Sequence, residues 1–387
     1  MSVNLVSVDS DKCSRRSAMQ TAGILLASAW SGSNRDDVLA NEAYARLYVA
    51  DATDRAVRLA IDFLIDNQDN EGAIADRNNP VTMTSLAIMA MASIGTQPSD
   101  HSKFGRSMRR AIDYVLKPVH QTKEGYFGRY DSSRMYGHGI TTLMLTEMLG
   151  MGANRDQNKR ILEALAPAID LILGAQKIPK SKRHRGGWRY EPTSRDSDLS
   201  VSVWQVMALR SAKNDSLNVP KQAIDFAVEF LQESFAEPEI LTPTEDENGK
   251  GENNLLRRSG FTYMPGSRQS TFTMTSAGLL AIQVCGWYDS PMVVSAAEWL
   301  LKYPPERNER FFFYGIYYYA QGMHQAGGEY AKTAEEVTSK MLLESQKTNG
   351  SWVAENGEER NVGAVYATSL AVLSLSVRYH YLPIYQR

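Results

Sequence analysis

One unit recurs along the chain, and a recurring unit constrains the architecture before any single residue does. A helix-like stretch, often opening Ala-Ile-Asp, ends near a Gln. A Gly-x-aromatic turn follows, and then a nearly all-apolar helix. Near the C-terminus the turn reads Gln346-Lys347-Thr348-Asn349-Gly350-Ser351-Trp352. Earlier copies pair Gln121 with Gly125 and Phe127, and Gln68 with Gly72 and Ile74. Gln176 precedes Gly186-Gly187-Trp188 across an insertion, and Gln232 precedes Gly260-Phe261 across a longer one. Gln68, Gln121, Gln176, Trp188, Gln346 and Trp352 read as structural repeat residues. Each Trp is expected to pack between neighbouring repeats, with its Gln bonding backbone near the turn.

The two helices of a unit differ in kind. Ala56, Val57, Ala60, Phe63 and Leu64 recur at helical spacing, with Arg55, Arg58, Asp62 and Asp66 between them. That is one apolar stripe on a polar helix. The second helices, such as Thr84 to Met91, Thr273 to Val284 and Ala364 to Val377, have almost no charged face. A helix apolar all round must be covered all round. These helices therefore form an inner layer, and the amphipathic ones an outer layer. An open stack needs polar end caps, yet the last inner helix is as apolar as the middle ones. Closure follows, and the expected fold is all-α, an (α/α)6 toroid. Parallel inner helices would place every outer-to-inner loop on one rim. Both long insertions, 177–185 and 237–259, fall in such loops, so that rim is the expected functional mouth.

The Gln346, Gly350 and Trp352 spacing resembles the QW repeat of squalene and hopene cyclases. The toroid is shared by terpenoid cyclases, protein prenyltransferase β-subunits and some polysaccharide lyases. The stretch from Gly186-Gly187-Trp188 through Asp196-Ser197-Asp198 to Trp204-Gln205 resembles exported bacterial proteins with prenyltransferase and squalene oxidase repeats. The resemblance implies a central cavity for an extended, isoprenoid-type lipid ligand and cyclase-like acid chemistry. It aligns Asp198 with the catalytic acid of the cyclases' Asp-x-Asp-Asp motif, although Leu199 stands where the last Asp belongs. The competing reading makes Asp198 or Asp196 a helix N-cap. Two other functions stay open: a non-catalytic toroid binding polypeptide or a glycan polymer, and a polysaccharide lyase. No Asp-x-Cys pair matches the prenyltransferase zinc site, and no metal or cofactor pattern occurs.

Ligand-contact candidates cluster at inner-helix starts. His138 lies between Gly137 and Gly139, beside Tyr136. Asp196 precedes the third inner helix, and Arg268, with Arg257 and Arg258, precedes the fourth. Tyr314 and Tyr318 belong to an aromatic fifth inner helix. His138 and Asp198 are expected to face one cavity within roughly 12 Å, because packed helices lie about 8–10 Å apart. His324 ends its inner helix at the far rim, where packing or capping is expected. Cys285 reads as a small core residue.

Composition narrows the rest. With 387 residues and a net charge of -2, no extended nucleic-acid surface is expected. No apolar run approaches the ~18 residues of a membrane span. Ser14-Arg15-Arg16 precedes an apolar stretch over 22–30, with small-x-small sites at Ala27-Ser28-Ala29 and Val38-Leu39-Ala40. This pattern reads as an export signal that resembles the twin-arginine class. Residues 1–40 are expected to be signal and linker, 41–387 one toroid domain, and the location periplasmic or extracellular.

Overall fold

A computed structural model describes residues 51–236 and 258–386. The segment expected to be an export signal and most of the second insertion lie outside the described residues. Twelve α-helices and no strands of a sheet occur among the described residues. The outer helices are α1 (Ala52–Asp66), α3 (Lys103–Val115), α5 (Arg155–Lys177), α7 (Lys221–Glu233), α9 (Pro291–Lys302) and α11 (Gly328–Leu343). The inner helices are α2 (Pro80–Ala92), α4 (Arg134–Glu147), α6 (Leu199–Asn214), α8 (Phe272–Val284), α10 (Phe312–Ala326) and α12 (Ala364–Leu375). Each inner helix packs on the next, and α12 packs on α2, so the ring is closed. All thirteen residues of α8 are buried, whereas α1 buries one stripe. The fold is an (α/α) toroid.

Two recurrent bonds stitch the repeats. Gln68 Nε2 donates to Gly72 O (3.0 Å) and to Ser107 O on the next outer helix (2.9 Å). Gln121 repeats this with Gly125 and Ala164, and Gln176 with Gly186 and Ala223. Gln346 donates to Gly350 O and, across the closure, to Ala56 O at 2.7 Å. The second stitch runs from each turn to its own inner helix. The amides of Ile74, Trp188, Phe261 and Trp352 donate to the hydroxyls of Thr84, Ser202, Thr275 and Thr368. Trp188 and Trp352 are buried, and their Nε1 groups donate to Ile172 O and Leu342 O, each at 2.8 Å.

Helix capping runs round the ring in one direction. An inner helix leaves its first amides unpaired, and the loop of the following repeat often supplies the acceptor. Asp131 accepts from Thr82 N of α2, Tyr190 O from Met135 N of α4, and Tyr263 O from Leu199 N at the α6 start. Glu359 accepts from Phe313 N (2.8 Å) and Tyr314 N (2.9 Å) of α10. Asp76 then closes the circuit by accepting from Ala364 N of α12 at 2.6 Å.

The C-terminal segment plugs the far end of the ring. Leu382, Ile384 and Tyr385 are buried, and the Tyr385 hydroxyl bonds that of Tyr317. Glu147, buried at the end of α4, accepts from Ser211 Oγ and from Ile384 N. Burial pushes this carboxyl up to about 7, against the pull of those two hydrogen bonds. A raised folded pKa means that the protonated form is favoured in the fold. Its stabilisation is complete below about pH 4.5 and is lost as pH rises through about 7. Unfolding free energies from urea titrations between pH 4.5 and 8 should therefore fall in the wild-type chain relative to Glu147→Gln, by no more than about 3 kcal/mol. Parallel curves would remove Glu147 as the titrating group.

Candidate functional site

The mouth lies where the inner N-termini end, and two loops build most of it: 178–198 before α6 and 259–271 before α8. Asp198 is the N-cap of α6, with Oδ1 accepting from Val201 N at 2.9 Å and from Ser200 Oγ at 2.6 Å. Its Oδ2 is buried and lies 3.5 Å from Arg189 Nη1. Burial raises this carboxyl, while the Ser200 and Val201 bonds and Arg189 oppose the rise. Asp196, two residues earlier, is half exposed and lies 3.6 Å from Arg189 Nε.

Arg189 is held by aromatic faces rather than by a short carboxylate bond. Its guanidinium lies 4.9 Å from the Tyr190 ring centroid and 5.7 Å from that of Tyr263. The Tyr190 and Tyr263 hydroxyls bond each other at 2.6 Å, and the Tyr136 ring lies 5.9 Å from Tyr190. Arg189, Tyr190 and Tyr263 are all partly exposed. Beneath them the Tyr136 hydroxyl bonds Ser200 Oγ, and Tyr314 donates its hydroxyl to Ser200 O at 2.8 Å. Tyr366 donates to Glu359 Oε1 at 2.9 Å. The result is an aromatic rim around one arginine, over two buried, cap-bound carboxylates, Asp198 and Glu359.

Several expected ligand contacts are corrected. His138 does not face a cavity; it is wholly buried and turned outward. Its Nδ1 accepts from Phe127 N at 3.3 Å, and its Nε2 donates to Ala168 O of α5 at 3.1 Å. It takes the place that Thr or Ser holds in four other turns, and burial depresses its pKa to about 4. Its flanking glycines reflect close neighbours instead of a ligand: a Cβ on Gly137 would meet Ser133 Oγ at 1.8 Å. His138 and Asp198 therefore share no cavity. Asp198 is the helix N-cap that the competing reading expected, and its side chain is buried. Tyr318 is core, 4.8 Å from the Tyr314 ring and 5.7 Å from Trp204. Tyr314 is also buried, though its hydroxyl closes the floor of the mouth. Arg268 lies apart from this cluster. With Lys182, Arg183, Arg185, Glu229 and Glu233 it lines a groove of about 620 Å³ on the flank of the same rim.

Sequence reasoning missed Arg189, Tyr263 and Glu359. Glu359 had one signal: α10 opens on Phe311, which has no side-chain acceptor, so a cap must come from elsewhere. Cys285 packs against the core, and burial pushes its thiol up to about 12.

The centre of the ring is filled. Trp204 of α6 and Tyr317 of α10 stack there with centroids 5.8 Å apart and planes 8° apart, and Trp204 Nε1 donates to the Tyr314 hydroxyl. Trp204, Tyr317 and Tyr318 are each at most 1% exposed. No group of three or more His, Cys, Asp or Glu placed to hold a metal occurs among the described residues, nor does a helix long and apolar enough to cross a membrane.

No family model matches the chain, and no curated protein matches it. Solved structures do match. The GH76A α-1,6-mannanase of Salegentibacter sp. HEL1_6, in an inactive variant complexed with α-1,6-mannotriose, aligns with a TM-score of 0.56 and 11% identity. That alignment covers 86% of this chain and 100% of the mannanase. An α-amylase from Clostridium perfringens aligns with a TM-score of 0.51 and 12% identity, covering 83% of this chain and 97% of its own. Identity this low carries the fold alone. The class defined is an α/α toroid like those of glycosidases, and the cyclase resemblance reaches no further than the toroid.

Proposed function

We propose that the chain is a non-catalytic, glycan-binding toroid that grips a saccharide at the mouth formed by Arg189, Tyr190 and Tyr263. The observation that carries this reading is the pair of partly exposed tyrosines flanking Arg189 while the ring centre is filled. A pyranose presents weakly positive C–H bonds on its faces, and these suit the negative face of an aromatic ring. Arg189 and the tyrosine hydroxyls offer donors to sugar oxygens. An isoprenoid would need an apolar chamber, and Trp204, Tyr317 and Tyr318 occupy that space. A lyase would need an accessible base, and His138 is sealed. Both buried carboxylates already serve as caps, which favours binding over hydrolysis. The fold neighbours, an α-1,6-mannanase complexed with α-1,6-mannotriose and an α-amylase, support the glycan reading over the lipid one. The arginine pair at Arg15-Arg16 supports export, which would place the mouth where extracellular polysaccharides are met.

The test is a glycan array followed by titration of the best oligosaccharide. Tyr190→Ala and Tyr263→Ala should each weaken binding about three- to tenfold, from the loss of one stacking face. Binding unchanged in both variants, or no glycan bound at all, would refute the proposal.

A further inference from the structure

Two histidines meet at the far rim, away from the mouth. His324 sits in the last turn of α10, and His380 follows the short 3-10 turn Ser376–Tyr379 of the C-terminal plug. Their Nε2 atoms are 2.9 Å apart, and their ring centroids 4.6 Å. His380 holds φ 54° and ψ 30°, a left-handed conformation uncommon outside glycine. Such backbone persists where the surroundings require it, often at functional positions. Beside the pair, Gln325 is 4% exposed, and both polar atoms of its amide are buried without a partner. Gln325, His324 and His380 line one cavity of about 10 Å³, room for about one water or ion.

A plain imidazole–imidazole hydrogen bond would account for the two nitrogens and nothing else. It leaves Gln325 Oε1 unpaired beside the cavity, and a buried unpaired acceptor is costly. An ion in the cavity would accept lone pairs from both rings and from the amide oxygen.

We propose that His324 and His380 bind one divalent transition-metal ion of the zinc type through Nε2, with Gln325 Oε1 and water completing the shell. Imidazole nitrogens select zinc, copper and nickel over the oxygen-seeking calcium and magnesium. Tetrahedral zinc with bonds of about 2.0–2.1 Å holds two ligand nitrogens about 3.3 Å apart, so the pair opens by about 0.4 Å on loading. His380 is exposed and lies on the C-terminal segment, which gives it that freedom. No third His, Cys, Asp or Glu joins the pair among the described residues. The ion is therefore exchangeable rather than permanently held. Its consequence is mechanical: it staples the plug to α10, adding to the Ser376–Ser93 and Glu147–Ile384 contacts.

The experiment uses the full chain, purified without a polyhistidine tag and stripped with EDTA. Zinc is titrated calorimetrically at pH 7.5, and melting is followed with and without zinc. Wild type should bind one zinc per chain and melt higher when loaded, because the ligand stabilises only the folded state. His324→Gln and His380→Asn should each lose affinity at least about tenfold and lose the zinc-dependent rise in Tm, while melting like wild type in EDTA. Asparagine tolerates the left-handed backbone at 380; should His380→Asn unfold regardless, His324→Gln decides alone. No zinc bound by wild type, or equal binding in the histidine variants, overturns the proposal.

Discussion

Trp352→Ala should lower the unfolding free energy by about 4 to 6 kcal/mol. Trp352 is wholly buried, and truncating a buried Trp costs about 3–5 kcal/mol through lost contacts and the cavity left behind. Its Nε1 also donates to Leu342 O at 2.8 Å, and the substitution strands that carbonyl inside the core. The backbone amide of Trp352 ties the turn to Thr368 of α12 and would survive, so the loss reports the side chain. Denaturant unfolding measures it. A midpoint equal to wild type would mean that this aromatic position does not hold the repeats together.

Gly350→Ala should cost about 2 to 5 kcal/mol although only one methyl is added. Gly350 has φ +86°, where an L side chain is strained by about 1–2 kcal/mol. A Cβ there would meet the backbone of α1, with Leu59 O at 2.3 Å and Leu59 C at 2.5 Å, and overpacking adds about 1–3 kcal/mol. Backbone cannot rotate aside as a side chain can. This glycine also sits on the closure, beside the Gln346 bond to Ala56 O. The variant should thus loosen the join between the last and first repeats, seen as faster amide exchange in both α1 and α12. Wild-type exchange in those helices would contradict the closure geometry.

The architecture was legible because it rests on pattern. Apolarity on every side of the inner helices announced a covered layer, and the Gln-to-Gly spacing announced a turn that every repeat must make. The side-chain directions were not legible. His138 looked like a ligand contact because nothing in one sequence shows that Thr84, Ser202, Thr275 and Thr368 bond the equivalent turn amides; those positions align only when the helices are superposed in space. Asp198 carried both a cap and an acid reading, and the bond it accepts from Val201 N shows the cap. Arg189 and Tyr263 belong to loops of different repeats, so their meeting depends on the ring and not on local spacing. Tyr314 and Tyr318 lie on one aromatic helix, and only the ring shows that both are buried.

A crystal structure of the protein soaked with an oligosaccharide selected on the array tests the central claim most directly. The account predicts a sugar ring against Tyr190 or Tyr263 within hydrogen-bonding reach of Arg189, with Trp204 and Tyr317 still stacked in the ring. A ligand seated inside the ring with those side chains displaced, or a saccharide bound elsewhere with the mouth empty, would contradict it.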